Sequence, residues 1–112
     1  MKRLPVKQAN GSIVLIEIDS IFYLEAQGDD TLIRTRRQKM YRSVQPLGEL
    51  AVKLPETSFV HCHREYVVNL DRVSALLPRT SRDYDFKMDP PVNRRIPVAR
   101  DRMDAVRRII GV

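Results

Sequence analysis

Phe59-Val60-His61-Cys62-His63-Arg64-Glu65-Tyr66-Val67-Val68-Asn69-Leu70 carries the strongest β signal in the chain, with its only histidines and its only cysteine. Its β-branched and aromatic side chains, bounded by Pro55 and by Asn69-Leu70-Asp71, are strand material. Apolar and polar residues alternate from Phe59 to His63, and then the alternation breaks. Val67 and Val68 are adjacent apolar residues, so either this strand is covered on both faces or a bulge lies near Arg64-Glu65. A bulge there aims Arg64 outward and keeps Tyr66 and Val68 in the core.

On either side of this stretch the chain reads mostly as strands. Leu4 to Gln8 and Ser12 to Ile18 flank Asn10-Gly11, a strong hairpin dipeptide. Asp19-Ser20 turns the chain into a strand from Ile21 to Ala26, and Gln27 to Asp30 is a polar loop. In Thr31 to Arg36, Leu32 shares a face with Arg34 and Arg36 while Ile33 takes the other. Arginine is rarely buried unpaired, so this strand is expected at an edge or curling out of the core. Arg37-Gln38 then turns into a short strand from Lys39 to Ser43.

The period changes at Leu47, Leu50, Ala51 and Leu54, one face of a helix of about two turns that starts at Pro46 and stops at Pro55. Beyond the central stretch, Arg72 to Leu77 is extended and Pro78 to Arg82 is a basic loop. Tyr84 to Met88 alternates with Tyr84, Phe86 and Met88 inward, and Asp89-Pro90-Pro91 turns. Pro97 in Ile96-Pro97-Val98 demands an edge strand. Met103, Val106, Ile109 and Ile110 lie at helical spacing, with acids near the start, Arg107 and Arg108 near the end, and Gly111 to stop it. The expectation is one domain over residues 1–112, all-β with predominantly antiparallel sheets, one short internal helix and a C-terminal helix.

Composition narrows the function. Twenty Lys+Arg against fourteen Asp+Glu give a net charge of +6 and a pI near 9.9, which favours polyanionic partners. Most of that charge is arginine, whose planar fork suits phosphate or guanine. No apolar run approaches the roughly 18 residues of a membrane span. Met1-Lys2-Arg3, leading into Leu4, Pro5 and Val6 and then polar residues, does not resemble a signal peptide, and one cysteine fits a reducing cytoplasm.

Within the central stretch, Phe-x-x-x-His-Arg-x-Tyr-x-Val-Asn resembles the core motif of the LytTR DNA-binding domain, found at the C-termini of many bacterial response regulators. Ile21-Phe22-Tyr23-Leu24-Glu25 is similar to the family's Ile-x-Tyr-Ile-Glu strand. Leu47-Gly48-Glu49-Leu50 with Leu54-Pro55 is similar to its short helix, and Ile96-Pro97-Val98-Ala99-Arg100 to its Ile-Pro-Val-Ser-Arg segment. The resemblance covers nearly the whole chain in order. It implies antiparallel sheets that read DNA through loops, with the Gly28 to Thr31 loop, Arg64 beside His63, and Arg100 facing DNA. Ala99 stands where a serine is usual, and Asp29 and Asp30 place acid on a loop expected to face phosphates.

Other chemistry finds little footing. His61 and His63 share a strand face, but Cys62 points away and no further cluster completes a metal site. No Gly-rich phosphate loop, nucleophile elbow or activated carboxylate pair is present, so neither catalysis nor a cofactor is expected. The reading is a cytoplasmic, sequence-specific binder of double-stranded DNA, the output domain of a transcriptional regulator, on direct-repeat sites bound by two copies. An upstream sensory or receiver domain, absent from this sequence, is compatible with that role. Arg64 and Arg100 read base edges beside His63, Thr31 and Asp30, while Arg79, Arg82, Arg36 and Arg37 hold phosphates. The rival is an RNA-binding β module, which calls for aromatics on an open sheet, although Tyr and Phe number only seven here. A protein-interaction domain would need an exposed apolar patch.

Overall fold

The central stretch is a hairpin of two strands. Phe59–His63 runs outward, Arg64-Glu65 turns the chain, and Tyr66–Asn69 returns antiparallel with His63 opposite Tyr66. The single strand bulged at Arg64-Glu65 is therefore corrected: the break in alternation there is a chain reversal. A register shift does exist, but earlier, between Val60 and His63. Both outcomes leave Arg64 exposed.

The computed structural model describes residues 2–112, apart from the side chain of Gln38. The N-terminal reading that begins at Met1 lies partly outside the described residues. In chain order the strands are β1 (Arg3–Lys7), β2 (Ile13–Glu17), β3 (Ile21–Gln27), β4 (Asp30–Thr35) and β5 (Met40–Ser43). Helix α1 (Leu47–Ala51) comes next, then β6 (Phe59–His63), β7 (Tyr66–Asn69), β8 (Val73–Pro78), β9 (Tyr84–Met88), β10 (Arg95–Val98) and α2 (Met103–Ile110). All the strand pairings are antiparallel. The expected all-β class with two helices is what the chain adopts.

Three sheets stack in layers. A five-stranded sheet in the order β5-β4-β3-β7-β6 lies between the β1-β2 ribbon and a three-stranded sheet in the order β10-β9-β8. On one face, Leu4, Val6, Ile16, Leu24, Ile33 and Val67 pack with Leu47, Leu50 and Leu54 from the α1 segment. On the other, Phe22, Tyr23, Val60, Cys62 and Val68 meet Phe86, Met88, Ile96 and Val98, with Met103 and Val106 of α2. Val67 and Val68 therefore face opposite cores, which is why the sequence shows no alternation there. A register shift in β3, between Ile21 and Tyr23, lets the adjacent Phe22 and Tyr23 both face the second core, while Ile21 and Leu24 on either side face the first.

β4 is not an edge strand. It lies between β5 and β3, with Thr31, Ile33 and Thr35 buried and Leu32 and Arg34 only half-buried. Its arginine is tolerated because no residue of β4 or β5 belongs to the second core, so that part of the sheet keeps a solvated face. Pro97 does sit on an edge, since β10 pairs with β9 alone. Asn69 closes β7: its side-chain oxygen accepts from the Asp71 N–H at 3.0 Å and its amide donates to the Ile21 carbonyl at 2.9 Å. No helix among the described residues is long and apolar enough to cross a membrane.

Candidate nucleic-acid interface

The Arg64-Glu65 turn is braced from several sides. His63 Nδ1 accepts from the Glu65 N–H at 3.1 Å, and its ring meets Tyr66 edge-on with centroids 5.6 Å apart. The Glu65 carbonyl accepts from the Ala26 N–H at 2.8 Å, which ties the turn to the end of β3. His61 Nε2 lies 3.5 Å from the Arg64 carbonyl, and Arg102 donates to the His61 carbonyl. Burial, chiefly, holds the His61 imidazole below its ordinary pKa, with the nearby Arg102 charge acting in the same direction. His63 thus braces the turn, while Arg64 itself is exposed and forms no ion pair among the described residues.

Tyr66 anchors the base of this hairpin. Its hydroxyl donates to Glu25 Oε2 at 3.2 Å and accepts from Arg94 Nη2 at 2.9 Å. Arg94 Nη1 donates to Glu25 Oε1 at 2.8 Å and to the Tyr23 hydroxyl at 2.9 Å. The guanidinium also lies over both rings, 5.1 Å from the Tyr23 centroid and 5.3 Å from that of Tyr66. Burial raises the Tyr66 pKa, and the Glu25 carboxylate adds to that. In the sequence alone Arg94 is only half of a basic turn pair. The signal that points to its role is Glu25, an acid two residues from Tyr23 in an apolar strand, which requires a cation from elsewhere.

Arg100 comes to the same region because the Ala99 N–H donates to the Cys62 carbonyl at 2.9 Å. Summing backbone reach from Arg64 through Cys62 and Ala99 places the Cα atoms of Arg64 and Arg100 within about 18 Å. Arg100 is not a free cation. Its Nε and Nη2 donate to the two oxygens of Asp83 at 2.6 and 3.2 Å. Arg100, and then Thr80, hold the Asp83 carboxyl down at a pKa of about 2. The loop after β8 that carries Asp83 also carries Arg79 and Arg82. Arg82 is exposed with no side-chain partner among the described residues, whereas Arg79 Nε pairs with the buried Asp85 at 3.0 Å. Arg95 holds the other Asp85 oxygen at 3.1 Å.

One expectation needs correction, and one pair of expected phosphate contacts lies apart from the rest. Thr31 is fully buried and its hydroxyl donates to the Gln45 carbonyl at 2.7 Å, so it is a core residue that cannot meet a ligand. Its position in β4 points it inward, whereas Gly28-Asp29, the two-residue turn that precedes β4, is exposed. Arg36 and Arg37 do not join the Arg64 group either. They occupy the β4–β5 turn, at the opposite end of β4 from Gly28-Asp29, roughly 20 Å away at strand rise. Asp30, at the near end, is neutralised by Arg42 at 3.2 Å, and Arg42 also donates to Gln27 at 3.0 Å. That pairing removes half of the acid that conflicts with a phosphate-facing loop.

Among the described residues no three His, Cys, Asp or Glu side chains converge as a metal site. Cys62 is buried, with its thiol 3.7 Å from the Pro97 carbonyl, and burial pushes its pKa up to about 12. Arg107, in the last turn of α2, lies over Tyr84 with its guanidinium carbon 5.3 Å from the ring centroid.

The chain is similar to several known proteins. The chain spans about two-fifths of the length of the curated relatives it matches. Transcriptional regulatory protein YpdB of Escherichia coli is 29% identical over 98 residues, covering 88% of this chain and 39% of that protein. Sensory transduction protein LytT of Bacillus cereus is 26% identical over 109 residues, covering 97% of this chain and 42% of its own length. The heme-containing CO-sensing transcriptional regulator RcoM 1 of Paraburkholderia xenovorans is 26% identical over 110 residues, covering 98% and 40%. A solved LytTr DNA-binding domain from Bacillus cereus has the same fold, with a TM-score of 0.84 at 24% identity, covering 100% of this chain and 99% of that one. The family model for the LytTr DNA-binding domain matches residues 11–111, and this chain belongs to that family.

Proposed function

We propose that residues 1–112 act as one unit that binds double-stranded DNA sequence-specifically, as the output part of a bacterial transcriptional regulator. In this reading Arg64 and Arg100 enter the major groove and contact base edges, while Arg82 and neighbouring cations hold phosphates. The observation that carries it is the gathering of the Arg64 turn, the Arg100 junction and the Arg82 loop through the Ala99–Cys62 and Arg100–Asp83 contacts. Arginines on short turns, braced from behind, can enter a groove without a long recognition helix. A cytoplasmic site of action follows from duplex DNA as the partner. Regulators among the relatives support a sensory or receiver segment elsewhere in a longer protein, and two copies on direct repeats is the arrangement proposed for the operator.

The RNA-binding alternative loses its main support. Tyr23, Phe22, Phe59 and Phe86 are buried, and Tyr66 and Tyr84 lie under Arg94 and Arg107. Stacking single-stranded bases requires open aromatic faces, which these are not. Selection of bound fragments from random duplex DNA tests the proposal. A defined motif recovered from duplexes supports it; equal retention of all sequences, or preference for single strands, would sink it.

A further inference from the structure

Arg100 is the one proposed base reader whose guanidinium is already held by a carboxylate. A guanidinium offers five N–H donors in one plane, arranged along two edges suited to forked contacts. Asp83 occupies the edge made by Nε and Nη2. The edge made by Nη1 and the second N–H of Nη2 has no partner among the described residues. The two side chains are also layered, with Arg100 64% exposed and Asp83 18% exposed, so the cation stands forward of the acid.

The acid is itself fixed. Asp83 Oδ2 accepts from the Thr80 hydroxyl at 3.0 Å, and that hydroxyl accepts from the N–H groups of Asp83 and Arg82 at 3.1 and 3.3 Å. The Asp83 carbonyl closes the loop by accepting from the Arg79 N–H at 2.7 Å. A long flexible arginine is thereby held in one plane by a short residue that has little freedom of its own.

We propose that Asp83 is the positioning residue that sets the specificity of Arg100, clamping it side-on so that the Nη1/Nη2 edge is offered to a guanine. This rests on the reading of Arg100 as a base contact and adds which base it selects and which neighbour enforces the choice. Guanine presents two adjacent acceptors, O6 and N7, on its major-groove edge, whereas adenine presents one acceptor beside a donor. Holding the fork in place before binding lowers the ordering cost of forming both hydrogen bonds. The carboxylate also repels phosphates, so it penalises loose electrostatic binding more than a docked complex. Asp83 therefore raises discrimination more than it raises total affinity.

The test uses duplexes selected from a random-sequence pool with the unmodified chain, together with copies in which each G·C pair is replaced in turn. Arg100→Ala identifies its pair as the one whose replacement no longer matters. At that pair, Asp83→Ala should lower the ratio of cognate to replaced-pair affinity by roughly three- to tenfold, while binding to a scrambled duplex strengthens. Asp83→Asn, with a single acceptor oxygen, should fall between. Added to Arg100→Ala, the Asp83→Ala change should leave the ratio where it was. An unchanged ratio in Asp83→Ala overturns the proposal, and a raised one marks Asp83 as a competitor that keeps Arg100 off DNA. Equal losses on cognate and scrambled duplexes with a lowered Tm assign Asp83 to loop stability alone, which also overturns it. If Arg100→Ala alters discrimination at no base pair, the underlying reading of Arg100 fails, a result separate from any behaviour of Asp83.

Discussion

Arg94 grips Tyr66 in two ways at once: its guanidinium carbon lies 5.3 Å from the ring centroid, and its Nη2 donates to the hydroxyl at 2.9 Å. Tyr66 is the first residue after the Arg64-Glu65 turn, and Arg94 directly precedes β10. The contact therefore locks the proposed reading turn of the central sheet to the three-stranded sheet. Arg94→Met should cost about 1–3 kcal/mol of stability, below the full value of a buried pair because Arg94 is 37% exposed. Urea denaturation measures it. A cost matching that of an exposed arginine would mean that Glu25 and the two tyrosines satisfy one another without the cation.

Arg64 and Arg82 separate base reading from phosphate holding. Arg64→Ala should lower affinity for a selected duplex by about 1–3 kcal/mol and relax preference at particular pairs. Arg82→Ala should weaken all duplexes alike and reduce the salt slope by about one unit. Arg79 is less suited to this comparison, since removing it also strips a partner from the buried Asp85. Titration of each variant against cognate and scrambled duplexes decides the assignment; identical losses on both would make Arg64 a phosphate contact.

Salt dependence tests the whole surface. Affinity should fall by about 10³ between 50 and 200 mM salt if six phosphates are contacted. A flat response would mean that the basic end is not the binding surface.

Asp83 reports on the Arg100 fork through acid. Its carboxyl is held at about 2 against an ordinary 3.8, first by Arg100 and then by Thr80. A depressed pKa stabilises the folded state above the unfolded value, and that contribution is lost as pH falls from near 4 toward 2. Carboxyl NMR should show the low midpoint, and Arg100→Ala should move it up. A midpoint that Arg100→Ala leaves unchanged would show that the fork does not hold in solution.

Cys62 should be inert in the folded protein. Its thiol is buried and held protonated up to a pKa of about 12 against 9.0 for a free group. The unfolded chain ionises earlier, so this residue makes the fold less stable as pH rises from about 9 toward 12 and has no such effect at neutral pH. A thiol reagent at pH 8 should modify it only as fast as the chain unfolds, and mild peroxide should leave DNA binding intact. Modification at the rate of a free thiol would contradict the burial.

Much of the fold is legible along the chain, because strand and helix periods and the breaks between them are local properties. Asn10-Gly11, the Pro46 to Pro55 helix segment, Pro97 on an edge and Gly111 after α2 all follow from the conformational limits of those residues. Family membership is equally local, since it rests on residue types at fixed spacing. The central stretch is harder to read. A break in alternation is produced alike by a bulge, a turn or burial on both faces, and here all three lie within a few residues.

The strand class, the basic charge and the candidates Arg64 and Arg100 are all readable from residue types and their spacing. Which arginines are paired, and with what, depends on the packing of distant segments. Arg94 meets Tyr23 across 71 positions and Arg100 meets Asp83 across 17, while Arg36 and Arg37 are left at the far end of β4. That packing also buries Thr31, whose partner carbonyl on Gln45 lies 14 residues away. The physical reason is that the local period says which side of a strand a residue faces. Whether that side meets water, a core or an opposite charge depends on which distant segment is packed against it.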